Sequence, residues 1–138
     1  MLLLAAATDT SAQGVSPEGR WRTIDDKTGA TKSIVVIRIV RNQAEGVVER
    51  VFAPPAPSEH PICNGCPGDL DGKPIVGMRI MWGLKQDGDE WVDGRVFDPE
   101  SRKTYRGKIR VVDNGRKLEL RGFVGIPLFG RTQTWRRE

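Results

Sequence analysis

Several residue types that carry chemistry are scarce in this 138-residue sequence. It has one histidine, His60, one tyrosine, Tyr105, and two cysteines, Cys63 and Cys66, which stand together in the stretch PSEHPICNGCPGDLDG. With a single histidine, any Ser-His-Asp triad must run through His60, and no serine stands in a nucleophile-elbow context. Pro67, not histidine, follows Cys66, which excludes c-type haem attachment. DLDG and DDKTG hold paired acids, but neither approaches the calcium-loop pattern. Asp25, Asp26, Asp69, Asp71, Asp93 and Asp98 are turn-type aspartates whose usual task is to cap backbone donors, and nothing marks one as a general acid or base. No apolar run reaches the ~20 residues of a membrane-spanning helix. The sequence therefore assigns no catalytic residue, no metal and no cofactor.

What is present is a folded, mixed-charge chain with 16 glycines and 9 prolines, which break it into many short segments. Its length suits one domain with one core. The formal charge of +4 favours contact with anionic surfaces without choosing among nucleic acid, phospholipid and envelope polymer. The first residues differ from the rest. MLLLAAATDTSAQG has an apolar start and small residues near Ala12, so residues 1–14 read as the remnant of a secretory signal peptide. The expected location is periplasmic or secreted, with residues 19–137 as one β domain.

From Gly19 onward apolar residues recur with period two, the mark of half-buried strands. RWRTID, SIVVIRIV, EGVVERVF, GMRIMWGL, EWVDGRVFD, TYRGKIRVV, KLELRGF and RTQTWRR make eight strands, with no convincing helix. APPAPSEHPICNGCPGDLDGKP, residues 53–74, cannot continue a sheet, because its prolines would remove ladder hydrogen bonds. An all-β, eight-stranded, antiparallel up-and-down barrel hides every strand edge; a two-sheet sandwich and a split barrel are the alternatives. Alternation puts Met78, Ile80, Trp82 and Leu84 on one face, against Arg79, Met81, Gly83 and Lys85. Met78, Ile80, Trp82, Trp91, Tyr105 and Leu120 are thus the candidate interior residues for a small apolar or amphipathic ligand. Tyr105 falls on the face opposite Arg106, Lys108 and Arg110, which disfavours a base-stacking nucleic-acid surface. Barrel closure would bring Trp21 of the first strand beside Arg136 and Arg137 of the last, where a guanidinium can cover the indole.

For Cys63 and Cys66 three readings compete. Zinc would need a fourth ligand, such as Asp69 or Asp71, beyond the cysteines and His60. A thioredoxin-type couple needs a helix start, and PGDLDGKP is poor helix material. A disulfide staple in an oxidising compartment is preferred.

Together, GRWRTIDDKTG, CNGCPGDLDGKPIVGMRIMWGLK, WVDGRVFDPESRKTYRGKI and LELRGFVGIPLFGRTQTWRR resemble the bacterial exported proteins grouped as domain-of-unknown-function family DUF2147, from Gly19 to Arg136. The resemblance implies export and a lipocalin-like (calycin-like) barrel, and it implies no enzyme activity. GRW with a terminal arginine is also similar to the lipocalin signature. The expected function is a periplasmic binding module for a small apolar or amphipathic molecule. The alternative is a structural or interaction protein that touches an envelope protein or an anionic surface.

Overall fold

The computed structural model describes residues 15–52, 61–126 and 130–138. Residues 1–14, read above as a signal remnant, and His60 lie outside the described residues. Eight strands follow in order: β1 (Gly19–Ile24), β2 (Thr31–Val40), β3 (Gln43–Val51), β4 (Arg79–Asp87), β5 (Glu90–Asp98), β6 (Lys103–Val112), β7 (Lys117–Phe123) and β8 (Arg131–Arg137). Each pairs antiparallel with the next. β1 also pairs with β8, through Trp21 opposite Arg137 and Arg22 opposite Arg136, so the sheet closes as an up-and-down barrel. The expected fold is borne out, and closure leaves no free edge for another chain to pair with. No helix among the described residues is long and apolar enough to cross a membrane.

Tight turns define one end of the barrel. Arg41 and Asn42 both take positive φ between β2 and β3, which matches the twist of a two-residue hairpin loop. Gly88-Asp89 joins β4 to β5, and residues 113–116 join β6 to β7. Residues 15–18 run across this same end, and it is called the Trp21 end below. At the other end lie the β1–β2, β5–β6 and β7–β8 connections and the long β3–β4 connection. The described part of the last folds on itself: Ile62 bridges Pro74, Cys63 exchanges backbone hydrogen bonds with Lys73 and Gly72, and Gly68–Leu70 makes one 3₁₀ turn. This is called the disulfide end.

Strand β4 departs from simple alternation. The β3–β4 register shifts between Met81 opposite Gly46 and Arg79 opposite Val47, so Ile80 is an extra residue on that strand. A second shift in the same register follows between Gly46 opposite Met81 and Ala44 opposite Leu84, where Gly83 takes a positive φ of 76°. As a result Met81 and Leu84 both turn inward and are fully buried. Trp82, expected inside, instead pairs with exposed Arg95, is only half-buried, and lies under the Arg79 guanidinium at 5.3 Å. The register of Met81 with Val96 also sets Ile80 across from Phe97 on the outer face. Both are buried and belong, with Cys63 and Cys66, to one continuous apolar cluster, which extends from the barrel to the β3–β4 connection.

Candidate functional site

The Trp21 end is sealed by two side chains and backbone carbonyls drawn from three distant segments. Trp21 has no solvent exposure, and its indole N–H donates to the Pro17 carbonyl at 2.8 Å. The Arg137 guanidinium lies 4.2 Å from the indole ring and donates to the carbonyls of Gly115 (2.6 Å), Glu18 (2.9 Å) and Ser16 (3.2 Å). Burial lowers its pKa from the ordinary arginine value; it stays a cation, because arginine titrates far above neutral pH. Arg136, the next residue back, points to the opposite face and is exposed. Of the two arginines named from sequence, Arg137 covers the indole.

The other sequence candidates separate. Met78, Trp91 and Leu120 are buried in the main cluster, as is Ile80 on the outer face. Tyr105 is half-buried, its hydroxyl 3.4 Å from that of Ser101 near the disulfide end. The inward-facing side chains fold over glycines. A Cβ on Gly94 would meet Leu84 at 2.5 Å, and one on Gly107 would meet Val96 at 2.6 Å. At these two positions Leu84 and Val96 pack directly against the backbone of the neighbouring strand.

Among the described residues, two surface depressions bear on binding. One, of about 300 Å³, lies on the barrel wall between Glu90, Lys108, Arg110, Glu119 and Arg121. Its charges satisfy each other: Lys108 pairs with Glu90 (3.2 Å), Arg110 with Glu119 (3.0 Å), and Arg121 donates to Thr132 (2.9 Å). The other, of about 500 Å³, opens at the Trp21 end between the β2–β3 and β4–β5 hairpins. Ile39 and Trp91 form its apolar part, with Trp91 only 6% exposed. Arg41, Asn42, Gln43, Lys85 and Gln86 supply the polar part. Among the described residues the side chains of Arg41 and Lys85 have no ion-pair or hydrogen-bond partner. Two unpaired cations beside a ring and an aliphatic side chain form a site able to hold an anion joined to an apolar body. Trp91 was a candidate from sequence. The rest carry no pattern along the chain, because Arg41 and Asn42 form a hairpin turn and Gln43, Lys85 and Gln86 stand at strand ends.

Cys63 and Cys66 form a disulfide. They are 1% and 6% exposed, inside the apolar cluster with Leu70 and Ile75 against it. Asp71 accepts the Gly65 N–H at 2.8 Å and so braces the four-residue loop they close. No group of three or more His, Cys, Asp or Glu among the described residues is arranged to hold a metal ion.

Comparison with known proteins matches this description. A protein of the human pathogen Helicobacter pylori, described as belonging to the lipocalin family, superposes with a TM-score of 0.76 at 20% identity, over 90% of this chain and 84% of its own. That likeness is one of fold. No curated protein matches. The family model for an uncharacterized protein conserved in bacteria, DUF2147, matches residues 19–137, the whole span of the barrel. The chain belongs to the DUF2147 family and has a lipocalin-like barrel.

Proposed function

We propose that this protein is an exported binding module that takes a small amphipathic anion at the Trp21 end rather than in the barrel centre. The observation that carries this reading is the cleft of about 500 Å³ in which unpaired Arg41 and Lys85 stand beside Ile39 and Trp91. The wall depression holds similar charges, but these are already paired, so an incoming anion would have to displace a carboxylate. In the cleft a carboxylate or phosphate meets free donors, while Trp91 and Ile39 offer apolar contact. The likeness to a lipocalin-family fold supports a binding role by analogy alone. Export is supported by the disulfide, since such bonds persist in oxidising compartments.

Isothermal titration with decanoate and with decanol tests the reading. Decanoate is expected to bind and decanol to bind at least about tenfold more weakly, as charge-assisted hydrogen bonds are lost. Arg41→Ser combined with Lys85→Ser should abolish that preference. Equal affinities for the two probes, or a preference unchanged in the double variant, would sink the assignment.

A further inference from the structure

Five of the seven large, exposed apolar side chains among the described residues lie at the disulfide end: Phe52, Ile62, Val76, Val124 and Ile126. Antiparallel order puts the ends of β3, β5 and β7 on that one side, so these residues cap the same end of the barrel although they come from two connections. Val124 is 71% exposed. Ile62 and Val76 face outward from a connection whose Cys63, Cys66 and Ile75 are held against the apolar cluster, so a braced scaffold presents them.

Cations accompany them. Arg50 lies 4.5 Å from the Phe52 ring, and Arg106 lies 5.5 Å from the Phe123 ring while donating to the Gly125 carbonyl at 3.1 Å. The side chains of Lys27, Lys73, Arg102 and Lys103 have no ion-pair or hydrogen-bond partner among the described residues. The carboxylates of the same end are mostly engaged. Among the described residues, Asp25, Asp71 and Asp98 accept turn N–H groups, Asp26 pairs with Arg131, and Glu100 pairs with Lys32, which leaves Asp69.

We propose that the disulfide end docks on the surface of an anionic lipid layer. Arginine beside aromatic rings, with short apolar tips ahead of them, is the chemistry of the headgroup boundary. Unpaired lysines add attraction to anionic headgroups. The apolar tips stand on separate connections at an end that also carries these cations, a relief that a fluid layer can fill and that a protein partner would have to match pocket by pocket. Docking in this pose turns the Trp91 cleft away from the lipid. The proposal stands independently of what the cleft binds.

Sedimentation with phosphatidylcholine vesicles, with and without phosphatidylglycerol, tests it. The protein should bind the phosphatidylglycerol vesicles, bind phosphatidylcholine alone far more weakly, and come off as salt is raised. Lys73→Glu and Lys103→Glu should each weaken binding by at least about fivefold. Val124→Ser with Ile126→Ser should weaken it by about tenfold or more at constant charge. Arg136→Glu, on the barrel wall near the Trp21 end, should change it little. Failure to bind phosphatidylglycerol vesicles at low salt, equal losses from Arg136→Glu and Lys103→Glu, or no loss from the apolar double variant would each overturn the proposal. Binding only to vesicles that carry envelope proteins would overturn it in favour of a protein partner.

Discussion

The two ends of this barrel are closed by opposite means. At the Trp21 end, residues far apart in sequence meet: Arg137 reaches carbonyls 119 and 121 positions away. At the disulfide end a bond with a sequence separation of 3 stiffens one connection, whose cysteines join the apolar cluster. The first device holds the first strand to the last and therefore acts on the whole ring. The second shapes a local segment. Damage at the Trp21 end should therefore unfold the molecule, and damage at the disulfide end should loosen a loop.

The sharpest way to break the comparison is Trp21→Ala. A fully buried indole lost from the core should cost roughly 3–5 kcal/mol in a urea or thermal melt; a loss below about 1 kcal/mol would remove Trp21 from its sealing role. Arg137→Leu should come next, at about 2–3 kcal/mol, as the ring contact and charged hydrogen bonds vanish together. Arg136→Leu serves as the matched control, with a change within about 0.5 kcal/mol. Cys63→Ser with Cys66→Ser should cost about 2 kcal/mol on chain-entropy grounds. Hydrogen exchange should then speed up in residues 61–78 and stay slow in β1 and β8. Uniform acceleration around the barrel would erase the distinction between local and global closure.

Acid offers the mildest test, because it touches both ends. Asp25 at the disulfide end is held below its ordinary pKa by the N–H groups of Thr28 and Lys27, and Asp113 at the Trp21 end by the Arg116 guanidinium. A carboxylate depressed in the folded state adds stability above its unfolded pKa, and that contribution disappears as pH falls through the folded value. Stability should therefore decline below about pH 4. Asp25→Asn and Asp113→Asn should each flatten that decline, read as urea midpoints across the acid range. An unchanged slope in either variant would remove that carboxylate from the account.

Much of the fold was legible because it rests on local signals. Alternation in β6 and β7 reports one face directly: Ile109, Leu118 and Leu120 are buried, while Arg106 and Arg110 are exposed. Barrel closure followed from the need to hide edges, and Trp21 announced itself as a seal. Strand β4 was misread because its two irregularities are set by what lies across from it, the register shifts against β3 on either side of Gly46. Asp93-Gly94, a dipeptide that usually marks a turn, here sits inside β5 beside a register shift in its pairing with β6. Two small shifts were enough to send Trp82 outward and bring Met81 in. The cleft escaped notice for a related reason: Ile39, Arg41, Lys85 and Trp91 meet only through the packing of two hairpins, and no pattern along the chain records that meeting.

The position of the Arg137 guanidinium also bears on how the molecule assembles. Two of its three acceptors precede β1, and its own residue ends β8, so nothing shorter than the full ring can complete the seal. A chain folded only through β7 would be an open sheet whose two unpaired borders invite neighbours. Acquisition of the native state should accordingly be slow and nearly all-or-none, governed by the longest-range contact in the molecule.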